Sequence, residues 1–109
     1  MLDAVPVDTV LRALSDPTRR AVFERLARSE EASVSELTRT SGVTQGAVSQ
    51  HLKSLRLAGL VAERAQGRQV FYRARPEGLA PLFDWMSHYD AFWRDRFANL
   101  RTLLKEIDP

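Results

Sequence analysis

The middle of the chain carries two helix beginnings and two helix ends in close succession, and this pattern constrains the fold more than any other feature. Ser33 and Glu36 have the spacing of a capping box, in which each side chain binds the other residue's backbone N–H. The helix that begins there is predicted to end at Gly42, and Thr44 is a suitable cap for a next helix that ends at Gly59. Two short helices joined by a tight, glycine-containing turn form a helix-turn-helix.

The flanking segments predict a mainly helical fold with a small β-hairpin. Asp16 and Pro17 predict a helix beginning, because aspartate caps the first turn and proline lacks only an N–H that would be unpaired there. Two short strands on either side of Gly67 predict the hairpin, and Pro81 is tolerated in the first turn of one long last helix. We expect a single domain over residues 1–109, with the helix-turn-helix at about 34–58, the hairpin or wing at about 60–74 and the last helix at about 79–107.

Charge is distributed unevenly along the chain. The net charge is +5 between residues 44 and 75 and −3 over the remainder, although the whole chain carries only +2. A basic segment in acidic surroundings is typical of a surface that binds a polyanion, whereas the alternative is a solvated face rich in arginine. Because the basic segment coincides with the second helix of the pair and the hairpin, we expect double-stranded DNA as the partner.

The second helix of the pair has the two faces that DNA reading requires. On a helical wheel, Val48, Leu52 and Leu55 form a buried stripe. The opposite side is mostly polar and carries Gly46, Ser49, Gln50, Lys53 and Leu57. Ser49 and Gln50 on that side can exchange hydrogen bonds with base edges, and basic side chains on the helix and hairpin can neutralise phosphates. The predicted DNA contacts are Thr44, Gln45, Gly46, Ser49, Gln50, His51, Lys53, Arg56, Arg64 and Arg68.

Four blocks of sequence stand in a characteristic order, namely residues 13–20 (ALSDPTRR), 47–55 (AVSQHLKSL), 58–61 (AGLV) and 67–72 (GRQVFY). Over roughly residues 7–100 the chain resembles the ArsR family of bacterial repressors. The resemblance implies a dimeric winged helix-turn-helix, an operator with inverted repeats, and repression that a signal usually relieves. Gly46 and Leu57 depart from commoner choices in that family, which are proline or serine and an acidic residue, and this affects the exact base contacts.

The last helix carries an apolar side too large for a small domain to leave in water. Its apolar residues follow alternating spacings of four and three, with one charged interruption at Arg96, which is nearly a heptad seam. Pairing with the same helix of a second chain would cover this surface, so we expect a homodimer formed through the terminal helices. The predicted interface residues are Val7, Val10, Leu11, Leu82, Met86, Tyr89, Trp93, Leu100 and Leu103.

The candidate metal ligands are few. Cysteine is absent, which excludes disulfides, thiolate metal sites and a cysteine nucleophile. Asp84 and His88 stand four residues apart and could supply half of a metal site, but no histidine follows them. Metal-sensing members of the ArsR family use cysteines of the third helix or further histidines of the last helix, so the chain resembles the non-metal-sensing subgroup. We expect neither a metal site nor a cofactor.

The sequence leaves two alternatives to a simple DNA-binding repressor open. One alternative is a winged helix that binds protein and not DNA, which the basic segment argues against. Another is a repressor relieved by an unidentified small hydrophobic inducer, for which the candidate pocket comprises Phe83, Tyr89, Phe92 and Trp93. An enzyme is not expected, since the chain has no glycine-rich phosphate loop and no histidine–carboxylate pair in a plausible cleft.

The first residues lack the pattern of a secretory signal and no apolar run approaches a membrane span, so we expect a cytoplasmic protein with no membrane partner.

Overall fold

The computed structural model describes residues 5–107, which form six α-helices and one three-stranded antiparallel sheet. In chain order the elements are α1 (Val7–Ser15), α2 (Pro17–Ala27), β1 (Ala32–Ser33), α3 (Val34–Ser41), α4 (Gln45–Leu57), β2 (Val61–Gln66), β3 (Gln69–Ala74), a 3-10 helix (Pro76–Leu79), α5 (Ala80–Ser87) and α6 (Asp90–Ile107). Residues 1–4, on which the expectation about a secretory signal rests, lie outside the described residues, as do residues 108 and 109. No helix within residues 5–107 is long and apolar enough to cross a membrane.

The end of α1 is closed by two arginines of α2. Arg19 donates to the carbonyl oxygens of Ala13 at 2.6 Å and Arg12 at 3.0 Å. Arg20 donates to the carbonyl oxygen of Leu14 at 2.7 Å. The last carbonyls of a helix have no partner within the helix and carry partial negative charge, so two guanidinium groups satisfy them and fix the angle between α1 and α2.

The helix-turn-helix is capped as the sequence predicts. The Ser33 hydroxyl accepts from the Glu36 N–H at 3.2 Å, and the Glu36 carboxylate accepts from the Ser33 N–H at 2.9 Å, which completes the capping box. Gly42 follows α3 with a φ of 76°, a left-handed conformation that glycine adopts without steric cost. The Thr44 hydroxyl then accepts from the Ala47 N–H at 3.1 Å and begins α4. These caps confirm the predicted beginning and end of α3 and the predicted beginning of α4, which ends at Leu57, two residues before Gly59.

The hairpin is confirmed and gains a third strand that the sequence did not predict. The strands β2 and β3 pair antiparallel, with Val61 opposite Ala74 and Glu63 opposite Tyr72. The short strand β1 pairs with the other edge of β3, so the sheet order is β1-β3-β2. Because β1 leads directly into α3, the sheet ties the wing to the first helix of the helix-turn-helix.

The hydrophobic core lies among the first four helices and the base of the sheet. Its buried residues are Val10, Ala13, Val22, Phe23, Leu26, Ala32, Leu37, Val48, Leu52, Leu55, Ala58, Leu60 and Val61. Gly78 marks where the 3-10 helix meets the end of α4, because a methyl group there would overlap the backbone carbonyl of Gly59. The core therefore fixes the orientation of α4. The close contact between Gly78 and Gly59 fixes the point at which α5 and α6 extend away from the core.

The prediction of one long helix from about residue 79 to 107 is wrong. A 3-10 helix leads into α5, and the chain turns at His88 and Tyr89 before α6 begins. The carbonyl oxygen of Met86 accepts from the Tyr89 N–H at 3.0 Å and from the Trp93 indole N–H at 3.2 Å. These bonds tighten the end of α5 into a 3-10 turn and stabilise the break between α5 and α6. The apolar spacing of the sequence continues across this break, although the helix itself is interrupted.

Candidate nucleic-acid interface

The helix α4 presents its polar side outward because its apolar side is locked into the core. Val48, Leu52 and Leu55 have no exposed surface, which fixes the rotation of α4 about its axis. Ser49, Gln50 and Lys53, which the sequence assigned to DNA, are all exposed on the other side. The helix is 13 residues long and therefore spans about 20 Å, enough to lie along a major groove.

The beginning of α4 is exposed, and its second residue is a glycine with open space around it. Thr44, Gln45 and Gly46 are all exposed, and a methyl group at Gly46 would touch only the Thr44 hydroxyl oxygen, at 4.0 Å. The first N–H groups of a helix carry partial positive charge and attract phosphate oxygens. A small residue at this end allows the backbone to approach a surface closely, which supports the place that the sequence gave to Gly46.

His51 is half-buried and lies near the carboxylate of Asp16 at the beginning of α2. That carboxylate caps α2 by accepting from the Arg19 N–H at 2.9 Å, and this hydrogen bond is the main reason why the pKa of Asp16 is lowered. The sequence therefore predicted the α2 cap correctly, and His51 lies at the junction of α2 and α4, beside the polar face.

Arg56 connects α4 to the wing. Its Nε lies 3.5 Å from a carboxylate oxygen of Glu63, and both side chains are close to half exposed. Glu63 also accepts from the Tyr72 hydroxyl at 3.2 Å. Burial, followed by the Glu63 charge, raises the pKa of Tyr72, so this hydroxyl stays protonated and continues to donate. Arg56 thus has a loose partner at an exposed site, where ion pairs are weak and readily exchanged for a phosphate.

The two arginines assigned to the hairpin have different surroundings. Arg68 is exposed at the tip, beside Gly67, and makes no salt bridge with any residue in the described range. Arg64 is bound by the carboxylate of Glu31 through two hydrogen bonds of 2.8 and 2.9 Å. This contact lowers the pKa of Glu31 and raises that of Arg64, so both groups stay charged. The sequence missed Glu31, because no local pattern indicates that a residue before a two-residue strand reaches the far strand of the sheet.

A second exposed surface, distinct from the polar face of α4, lies on the last two helices. None of the residues of α5 or α6 is buried, although most of their apolar side chains are large. Phe97 is 59% exposed, Leu100 50% and Leu103 54%. Of the predicted interface residues, Leu11 and Tyr89 are also exposed, while Val7, Leu82, Met86 and Trp93 are half-buried. Val10 has no exposed surface and belongs to the core of the subunit, so it supports α1 from inside.

The candidate metal ligands and the candidate ligand pocket are both on open surface. Asp84 and His88 are exposed and line a cleft of about 830 Å³ between the start of α1, the end of α4 and α5. Within residues 5–107 no three histidine, aspartate or glutamate side chains come together as a metal would require. Phe83 lines that cleft, whereas Trp93 lines a separate groove on α6. Phe83 and Trp93, which the sequence grouped in one pocket, therefore line different spaces.

A helix-turn-helix whose second helix exposes a polar face, followed by a β-hairpin, defines a winged helix-turn-helix, a class of DNA-binding domain. Comparison with known proteins agrees. A helix-turn-helix domain family matches residues 14–64. The HTH-type transcriptional regulator Rv2034 of Mycobacterium tuberculosis is 46% identical over 86 residues, which cover 79% of this chain and 77% of that protein. The structure of an ArsR-like transcriptional regulator from Rhodococcus sp. RHA1 superposes with a TM-score of 0.70 at 31% identity, covering 89% of this chain and 91% of that one.

The chain belongs to the ArsR family of winged helix-turn-helix transcriptional regulators. It is therefore a DNA-binding regulator and not an enzyme, which favours the predicted function over the protein-binding alternative. The HTH-type transcriptional repressor SmtB of Mycobacterium tuberculosis is 41% identical over 80 residues, 72% of this chain. This chain spans only 58% of that repressor, and 53% of the arsenic resistance transcriptional regulator ArsR1 of Pseudomonas putida, to which it is 40% identical.

Proposed function

We propose that two copies of this chain bind an inverted-repeat DNA operator, place one α4 in the major groove of each half-site, and thereby repress transcription. The observation that carries the proposal is the division of α4 into two faces. Val48, Leu52 and Leu55 are fully buried, and Ser49, Gln50 and Lys53 lie on the exposed side, which also carries Leu57. A helix held rigidly in this way can dock in the DNA groove without changing its conformation, so little conformational entropy is lost on binding.

The exposed side chains divide into base readers and phosphate contacts. Gln50 can form two hydrogen bonds with adenine, and Ser49 can donate to or accept from a neighbouring base edge. Lys53, Arg56 and Arg68 carry charge that neutralises phosphates and so governs the salt dependence of binding. The remaining proposed contacts lie at the beginning of α4 and beside it, and they are Thr44, Gln45, Gly46 and His51.

A dimer follows from the size of the reading surface and from the exposed apolar helices. One recognition helix reads only a few base pairs, so a single subunit would bind weakly and with low specificity. The exposed apolar residues of α5 and α6 supply a surface that a second copy would cover, with Leu11 and Val7 of α1 beside it. Two-fold symmetry then places two α4 helices on half-sites about one helical turn apart.

The experiment that tests the proposal begins with selection of binding sequences from random duplex DNA by the purified protein. The selected duplex and a scrambled duplex are then titrated with wild type, Gln50→Ala and Lys53→Ala at several salt concentrations. Gln50→Ala should lose about 1–3 kcal/mol on the selected duplex and relax the preference at one base pair, because Gln50 reads a base and Lys53 does not. Lys53→Ala should weaken both duplexes equally and flatten the salt dependence, because phosphates carry no sequence information.

Thr102→Ala provides a matched control, since Thr102 is exposed on α6 and far along the chain from the reading face. It should bind both duplexes as wild type does. Failure to select any common sequence, or equal losses for Gln50→Ala on the selected and scrambled duplexes, would contradict the role given to α4.

A further inference from the structure

The side chain of Arg64 is held on three sides by groups of the sheet and of the segment just before β1. Its Nε and one terminal nitrogen donate to the two carboxylate oxygens of Glu31 at 2.9 and 2.8 Å. Its other terminal nitrogen donates to the Gln66 side-chain oxygen at 2.6 Å. The guanidinium lies 5.1 Å from the centre of the Phe71 ring. We name these four residues, Glu31, Arg64, Gln66 and Phe71, the wing clasp.

The register of the sheet explains why Arg64 reaches Glu31. Arg64 on β2 is opposite Phe71 on β3, and Phe71 is opposite Ser33 on β1. The Arg64 side chain therefore crosses β3 over the Phe71 ring and ends beside the residues that precede β1. Glu31 stands two residues before Ser33, which caps α3. The wing clasp thus joins the outer strand of the hairpin to the segment that begins the helix-turn-helix.

Arg64 has less freedom to bind a phosphate than the other basic residues of the wing. Exposed ion pairs are usually weak, but a two-point arginine–carboxylate pair with an amide and a ring beside it is an ordered exception. A phosphate would have to displace Glu31 and leave that carboxylate close to the DNA, where like charges repel. Arg68 has no such competitor among the described residues.

We propose that Glu31 is a positioning residue for DNA binding, and that Arg64 acts through it, by holding the wing at a fixed angle to α3 and α4, and not by contacting phosphate. This inference rests on the proposed function, because it assigns parts within the same DNA-binding surface. In this assignment, Arg68 at the tip is the phosphate contact of the wing. Glu31, although acidic, then increases the affinity for DNA, because it holds the wing in place.

The test compares Glu31→Gln, Arg64→Gln, the charge reversal E31R/R64E, and two further neutralisations, Arg73→Gln and Arg68→Gln. Arg73 lies on the same side of the sheet and its charge acts on Glu31, but it makes no hydrogen bond to that carboxylate, so it is the matched control. Affinity for the selected duplex is measured against salt concentration. Amide hydrogen exchange of β2 and β3 is measured separately on the protein without DNA.

The wing clasp predicts that Glu31→Gln and Arg64→Gln each weaken binding about two- to five-fold, with an unchanged salt slope, and that the charge reversal recovers part of the loss. Both single variants should speed hydrogen exchange in the hairpin, and Arg73→Gln should not. Arg68→Gln should lower the salt slope by about 0.9, as the loss of one phosphate contact does.

Opposite results would overturn the inference. If Arg64 binds phosphate, Glu31→Gln would tighten binding, Arg64→Gln would lower the salt slope as Arg68→Gln does, and the reversal would recover nothing. Unchanged hydrogen exchange in both single variants would refute the wing clasp whatever the DNA result. Absence of any salt-dependent DNA binding by wild type would instead count against the proposed function, and hydrogen exchange would still decide the clasp.

Discussion

Leu100→Asp places a carboxylate on the exposed apolar side of α6, where the proposed dimer forms. Leu100 is half exposed in the subunit, so a partner has about half of a leucine side chain left to bury. Full burial of a leucine is worth about 1.5–3 kcal/mol, so this half is worth about 1 kcal/mol in each copy and about 2 kcal/mol in the dimer. A carboxylate that loses water there without a partner adds several kcal/mol more.

The combined cost of at least about 4 kcal/mol corresponds to a thousand-fold weaker dimer. The subunit itself should stay folded, because Leu100 touches no part of the buried core. Light scattering should report the mass of one chain, circular dichroism should report wild-type helix content, and affinity for the selected duplex should fall with every DNA-facing residue intact. Thr102→Asp is the matched control, since it adds the same charge on the opposite side of α6. A folded Leu100→Asp protein that remains dimeric would place the interface elsewhere and refute the reasoning.

Three further predictions follow from the caps, the carboxylates and the missing ligands. Thr44→Ala removes the hydrogen bond to the Ala47 N–H and should lower the free energy of unfolding by about 1 kcal/mol in urea titrations, whereas Ser49→Ala, which caps nothing, should not. Hydrogen bonds lower the pKa values of Asp16, Glu31 and Glu36 in the folded protein. These three carboxylates therefore stabilise the fold at pH values above their ordinary pKa values of 3.8, 4.5 and 4.5. The urea midpoint should therefore fall as pH is lowered below those values, towards the lowered pKa values of the folded protein, and a rise would contradict the prediction. Because the chain has no cysteine, zinc, nickel and arsenite should not change affinity for the selected duplex, and a tenfold shift at low micromolar metal would show that Asp84 and His88 were misjudged.

The caps were predictable from the sequence because they are local. Ser33, Gly42 and Thr44 act on backbone groups within a few residues, so spacing alone carries the information. The buried stripe of α4 was predictable for the same reason, since helical periodicity determines which side faces the core. The candidate reading face followed from that stripe, because it is the side that the core leaves exposed.

The break after α5 and the wing clasp were not predictable, because both depend on single distant contacts. The turn at His88 contains neither proline nor glycine, and the apolar spacing continues across it. What stabilises the turn is the indole N–H of Trp93, which binds the Met86 carbonyl seven residues earlier. Glu31 meets Arg64 across 33 positions of sequence and only through the pairing of a two-residue strand. Neither contact has a periodic signature.

In the proposed complex, two α4 helices, held at a fixed separation by a symmetric dimer, read one operator. This arrangement is tested most directly by titrating wild type against the selected inverted repeat and against the same repeat with about five base pairs inserted between its halves. Half a helical turn of DNA, about 5 base pairs, moves the second half-site to the opposite side of the duplex. Two chains should bind each intact repeat, and the insertion should reduce affinity to that of a single half-site. Undiminished affinity for the inserted repeat, or one chain bound to the intact repeat at full affinity, would contradict the account.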